Sequence, residues 1–256
     1  MSKEQVRLSI LGSEQTLMSL GCASREIIDT ALGADGGYYF VSNTHQVVLA
    51  SESKCFREAQ LGARASIPDS AVLQAVARAI DLDPVPKFAP FRGFDLLLRL
   101  LKDSEGSGLS IGFLGGREAT LEKILARCQA DHPALSIDFC FSPAFLPLRE
   151  WDFDSIASSI RRSKVDLLIV GLGCPKQELF MAQIATCLPS LVMVGVGAAF
   201  EFYTGDVRPS PKWVHQAKLE WLYRLCAEPR RLFSRYLYYN TKFSYLSALE
   251  FIARRF

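Results

Sequence analysis

Histidine, paired cysteine and long apolar runs are all scarce in this 256-residue chain, and each scarcity removes a class of function. Only three histidines occur (His45, His132, His215), far apart and without ligand spacing, so the sequence supports no catalytic metal. Seven cysteines are scattered, odd in number and free of any C-x-x-C pair. That pattern argues for a reducing cytosol and against a disulfide framework or a thiolate metal site. The first residues, Met-Ser-Lys-Glu-Gln-Val-Arg, have no apolar core of signal-peptide type. No apolar run approaches the ~20 residues a membrane span needs. The expectation is a protein made and kept in the cytoplasm. A G-x-S-x-G elbow is missing, which weakens a hydrolase reading.

What is present is ordinary globular material, 49% hydrophobic and 22% charged, enough to bury one substantial core. The net charge of +2 hides an asymmetry. Residues 208–256 carry ten Lys/Arg against three Asp/Glu, whereas residues 1–207 carry nineteen against twenty-four. The same tail holds eleven of the twenty-eight aromatics. A basic, aromatic tail on a mildly acidic body suits an anionic surface or ligand; a helical hairpin that packs on the body and solvates its arginines fits equally well. The acidic body and short basic segment make a nucleic-acid role the least favoured.

The spacing predicts strands at 6–11, 38–42, 63–67, 110–114, 136–141 and 165–170, with another before Gly195. Helices are predicted at 25–32, from 47 onward, and at 70–80, 94–101, 118–128 and 153–163. Such alternation implies βαβ units and a parallel sheet: an α/β, Rossmann-like fold with flanking helices. Prolines and the charge shift coincide near 205–211. The expected division is a catalytic body at 1–207 and a helical, basic-aromatic appendage at 208–256, interrupted at Pro229.

Several motifs sit where strands exit into turns, the edge at which open parallel sheets bind ligands. Gly112-Phe-Leu-Gly115-Gly116-Arg117 opens a helix and could bring backbone N–H groups to a phosphate, although its spacing is equally that of a tight βα turn. Gly171-Leu-Gly173-Cys-Pro-Lys176-Gln177-Glu178 crowds a charge, an amide and a carboxylate onto one helix start, more than structure alone needs. Gly195-Val-Gly-Ala-Ala-Phe-Glu201 follows the next strand. Asp69 reads from the residues alone as the N-cap of the 70–80 helix, with a general base as the alternative. The triplets Asp81-Leu-Asp83 and Asp152-Phe-Asp154 read as loop or cap acids. Tyr238-x-x-x-Lys242 imitates a dehydrogenase pair without a dinucleotide turn before it. Arg224 and Arg231 are seven residues apart, about two helical turns, and form either a solvated face or a diphosphate clamp.

G-x-G-x-P-K-Q-E at 171–178, V-G-V-G-A-A-F-E-F-Y-x-G at 194–205, and L-E-W-L-Y-R-L at 219–225 with E-P-R-R-L at 228–232 resemble the WecG/TagA/CpsF glycosyltransferases of bacterial surface-polymer assembly. The resemblance runs from about Gly37 to Tyr236. It implies a metal-independent, inverting transferase without a cofactor, moving a hexose or N-acetylhexosamine-type sugar from a UDP-sugar to a polyprenyl-diphosphate-linked acceptor. It implies Asp69 as general base, Gln177 on donor or acceptor, Glu201 at the nucleoside, and Arg224 and Arg231 over the diphosphate. Asn43, Gly115, Gly116, Gly173 and Lys176 complete the expected binding set. It also implies peripheral attachment to anionic lipid on the inner face of the cytoplasmic membrane. The aromatic helices offer a surface for self-association.

Three departures from the family pattern stand out. Val41 precedes Ser42-Asn43 where the family has Thr-x-Asn, Ser70 follows Asp69 where it has glycine, and Arg208-Pro-Ser-Pro211 displaces an arginine. Two readings from other classes compete: a non-catalytic nucleotide-sugar-binding protein and an NAD(P)-dependent oxidoreductase.

Overall fold

The computed structural model describes residues 5–69, 71–80, 87–211, 214 and 219–255, leaving aside the side chains at 220, 227 and 231. Ser70, the Asp81–Asp83 triplet, His215 and Lys218 lie outside the described residues.

The chain opens with an antiparallel hairpin, β1 (Gln5–Ile10) and β2 (Ser13–Met18). Only its first strand is anticipated from the sequence. β2 begins Ser-Glu-Gln-Thr, and Ser13, Gln15 and Thr16 are buried rather than solvated. The available signal is Leu11-Gly12, both at positive φ (54° and 75°), which closes a two-residue turn.

The body then alternates: α1 (Leu20–Leu32), β3 (Gly37–Ser42), α2 (Thr44–Glu52), α3 (Lys54–Leu61), β4 (Ala65–Pro68), α4 (Ala71–Ile80) and α5 (Gly93–Ser104). It continues through β5 (Ser110–Gly115), α6 (Glu118–Asp131), β6 (Ser136–Phe141), α7 (Phe153–Ser163), β7 (Leu167–Gly171), α8 (Lys176–Cys187), β8 (Val192–Gly195) and α9 (Ala199–Thr204). α10 (Glu220–Ala227) and α11 (Pro229–Ala253) end it. The proline expected to interrupt the tail is the first residue of α11, where its missing N–H costs nothing.

Strands β3 to β8 form one parallel sheet in the order β4-β3-β8-β7-β5-β6. Successive side chains point to opposite faces, so each strand feeds two cores. Tyr39, Val41, Phe113 and Ile169 pack with residues of α1, α5, α6 and α9 on one face. Tyr38, Phe40, Leu114 and Val170 pack with residues of α3, α7 and α8 on the other.

A third core ties both ends of the chain together. Leu8, Ile10 and Leu17 of the hairpin meet Val47 and Val48 of α2, Leu73 and Ala77 of α4, and Phe243 of α11. Polar contacts reinforce it: Glu250 Oε2 accepts from Leu11 N at 2.7 Å, and Arg254 donates to Ser9 O at 2.8 Å. Nearby, Tyr238 donates to Glu52 Oε1 at 2.6 Å while Lys242 pairs with the same carboxylate. The Tyr238–Lys242 spacing therefore anchors α11 to α2. Much of the tail is in this way part of the packed body.

Candidate functional site

All six parallel strands end on the same edge, and two neighbouring clefts open there. The first, about 240 Å³, lies over the ends of β4, β3 and β8 and is covered by α10 and α11. The second, about 1090 Å³, lies over the ends of β7, β5 and β6. The turn from β7 into α8 separates them: Gly173 and Gln177 face the first cleft, Leu172 and Lys176 the second.

Five sequence candidates meet at the first cleft: Asn43, Asp69, Gly173, Gln177 and Arg224. Asn43 caps α2, its Oδ1 accepting from Gln46 N at 3.3 Å. Asp69 follows β4 directly and is held by its backbone N–H, which donates to Ser42 O at 2.9 Å. Gln177 is only 3% exposed. Its Oε1 accepts from Gly197 N at 3.0 Å and its Nε2 donates to Glu178 Oε1 at 2.6 Å. Glycine at 195 leaves room for this amide, since a Cβ would stand 2.9 Å from Gln177 Nε2 and displace it. Arg224, from α10, lies 5.7 Å from the centre of the Phe202 ring.

Three more candidates belong to the second cleft: Gly116, Lys176 and Glu201. Lys176 Nζ donates to Leu146 O at 2.8 Å and lies 5.4 Å from the ring centres of both Phe145 and Trp151. It thus braces the loop after β6 while keeping its charge at the cleft. Phe145 is fully exposed beside it. Glu201 Oε2 is buried without a hydrogen-bond partner among the described residues. Gly115 lines neither cleft. It ends β5 at φ 118°, where a Cβ would lie 2.5 Å from Gly171 O, so glycine lets two strand ends converge. Arg231 is on α11, and its side chain is outside the described set.

Asp152 caps α7, accepting from Ser155 N at 2.9 Å. Among the described residues no group of three or more His, Cys, Asp or Glu converges as metal ligands would. None of their helices is long and apolar enough to cross a membrane.

Three contributors to the first cleft were left out of the expected binding set: His45, Arg235 and Tyr239. His45 packs on Tyr239 with ring centres 4.0 Å apart. Burial, then the nearby Arg235 charge, push its imidazole down to about 4, so it is neutral at pH 7. Arg235 Nε is buried and unpartnered among the described residues. Arg235 follows Arg224 by eleven residues, about three helical turns, so the periodicity that singled out Arg231 also contained it. Nothing local marks His45 or Tyr239, since their meeting depends on how α11 lies across α2.

A family model described as "Glycosyl transferase WecG/TagA/CpsF family" matches residues 8–256. Curated relatives include a protein of Bacillus spizizenii, 28% identical over 165 residues, or 64% of this chain and 61% of that one. Another, from Bacillus subtilis, is 27% identical over 139 residues, or 54% and 52%. Both are named N-acetylglucosaminyldiphosphoundecaprenol N-acetyl-beta-D-mannosaminyltransferase. The chain thus aligns with between half and just over three-fifths of the length of these relatives.

Proposed function

Because the chain belongs to the WecG/TagA/CpsF glycosyltransferase family, we propose that it transfers an N-acetylhexosamine-type sugar from a UDP-sugar to a polyprenyl-diphosphate-linked N-acetylglucosamine. The relatives' names make N-acetylmannosamine the first sugar to test. The observation that carries the reading is the convergence of Asp69, Gln177 and Arg224 on one cleft beside a second that holds Glu201 and Lys176.

In this reading the nucleotide occupies the second cleft. Phe145 offers its face to the base and the Glu201 carboxylate accepts from a ribose hydroxyl. The diphosphate spans the first turn of α8, where the helix dipole favours negative charge. The transferred sugar and the acceptor meet in the first cleft. The Asp69 carboxylate removes the proton of the acceptor hydroxyl as its oxygen attacks the anomeric carbon, and the bond to UDP breaks on the opposite face with inversion. Arg224, Arg235 and Lys176 stabilise the charge that grows on the departing diphosphate.

The lipid-linked acceptor requires the protein to work at a membrane surface. Exposed Phe233, Leu237, Tyr245, Leu249 and Ile252 along α11, with Arg254 and Arg255 at its end, support peripheral attachment of the 208–256 segment to anionic lipid.

The deciding experiment follows UDP release from UDP-N-acetylmannosamine, with a short polyprenyl-diphosphate-N-acetylglucosamine acceptor and EDTA present. Acceptor-dependent release is expected. UDP binding without turnover on any donor of a wider panel would favour a non-catalytic nucleotide-sugar-binding protein. NAD(P) binding without UDP binding would favour the oxidoreductase.

A further inference from the structure

Behind Gln46 and Gln177, which line the first cleft, lies an acid that the proposed chemistry does not use. Glu178, on the first turn of α8, has no solvent exposure. Its Oε1 accepts from Gln177 Nε2 at 2.6 Å and from Gln46 Nε2 at 2.9 Å. Its Oε2 has no hydrogen-bond partner among the described residues, and Gln46 Oε1 has none either. The two glutamines come from different elements, α2 and α8, and both line the cleft. Gln46 also donates to Val41 O at 3.2 Å, and Gln177 accepts from Gly197 N. One carboxyl thus fastens the exits of β3 and β8 to the start of α8.

An acid in a helix's first turn is ordinarily explained by the helix dipole, but such acids are solvated. Here the group is sealed from water. A glutamine could accept the same two hydrogen bonds at Oε1 without burying an ionisable group. What an acid adds is the ability to change charge under the cleft.

We propose that Glu178 is a positioning residue of the transferase site: it fixes the amide faces that Gln46 and Gln177 present to the ligand, and its ionisation sets the charge beneath the ligand's anionic group. This rests on the first cleft being the transferase site. With a neutral carboxyl, the diphosphate across the start of α8 meets the guanidinium groups of Arg224 and Arg235 over uncharged ground. With an ionised one, a negative charge lies under the ligand, and the orphan acceptors of the cluster repel it further.

Surrounding groups leave this switch to Glu178. Burial pushes its carboxyl up to about 7, against hydrogen bonds from the Gln177 amide, its own backbone N–H and the Cys174 thiol. Cys174, in the preceding turn, has its thiol held well up by burial and then by Glu178. His45 of α2 is already neutral above about 4. Tyr239 of α11 is raised by burial and then by Glu52. Arg235 of α11, Arg224 of α10 and Asp69 beyond β4 complete the charged lining.

The test compares wild type with Glu178→Gln, using amide NMR and UDP binding between pH 6 and 8. In wild type the Gly197 amide and the side-chain amides of Gln46 and Gln177 should titrate together near pH 7; in Glu178→Gln they should be flat. Wild-type affinity for UDP should fall across that range by up to about tenfold more than that of the variant, the limit for one group titrating at mid-range. The terminal phosphate of UDP titrates in both samples and cancels in the comparison. Static amides in wild type, or equal pH ratios of affinity in both proteins, would overturn the proposal. If neither protein binds UDP, the transferase reading fails, while the amide titration still decides the role of Glu178.

Discussion

Gln177 Oε1 accepts the backbone N–H of Gly197 at 3.0 Å and so joins the helix start after β7 to the turn after β8. The amide cannot be reversed without setting one donor against another, since its Nε2 faces Glu178. Orientation at the cleft floor is therefore determined from below, before any ligand arrives.

Replacing Gln177 by alanine leaves Gly197 N–H and Glu178 Oε1 short of a buried partner. The expected loss of stability is on the order of 2–4 kcal/mol, summing two unmade hydrogen bonds. Urea unfolding would measure it. Hydrogen exchange at Gly197 should accelerate, and unchanged exchange there would mean that the contact is not maintained in solution.

Asp69→Asn retains size and hydrogen-bonding capacity but removes the base. Turnover should drop by about 10²–10⁴-fold, the usual contribution of a positioned base, while UDP affinity stays within about twofold. Equal turnover in the variant would remove Asp69 from the chemistry and strengthen the nucleotide-sugar-binding reading.

Glu178 also makes stability depend on pH, with a definite sign. Its folded pKa, about 7, is raised above the ordinary 4.5. The stabilisation it contributes is thus complete below 4.5 and is lost as pH rises through 7. His45 works in the opposite sense: its folded value near 4 lies below the ordinary 6.5, so its contribution is present above 6.5 and lost as pH falls through 4. Both proteins contain His45, so wild type minus Glu178→Gln isolates the acid. That difference should change by on the order of 3 kcal/mol between pH 4.5 and 7.5, read from urea midpoints; no change would mean that the carboxyl is not sealed.

Phe243 is 2% exposed and fills the core shared by α11, α2, α4 and the N-terminal hairpin. Phe243→Ala should cost about 3–5 kcal/mol. Deleting the chain after Gly205 should likewise destabilise the body by baring Val47, Val48 and Leu73, rather than detach an independent module. A truncated protein as stable as the full chain would show that α11 docks without contributing to the fold.

The strands and helices of the sheet were readable because period-two and helical spacing are local, and the glycine exits at 115–116, 171–173 and 195–197 announce the ligand edge. Other features were hidden by residue chemistry. β2 escaped notice because it opens on four polar residues, Ser13 to Thr16, most of them buried, and α3 because its start signal, Ser53 accepting from Phe56 N at 3.3 Å, stood inside a polar run.

The sequence by itself determined an α/β chain with chemistry-bearing turns on one edge, a family signature and a basic aromatic tail. These follow from composition and from spacings of a few residues. Tertiary structure alone decided that the candidates divide between two clefts, that α11 lies against a hairpin more than 200 residues earlier, and that His45 meets Tyr239. It alone made Glu178 a sealed acid rather than a solvated helix-start carboxylate. The reason is physical: burial and charge environment are set by which distant surfaces exclude water together, and no local pattern encodes that.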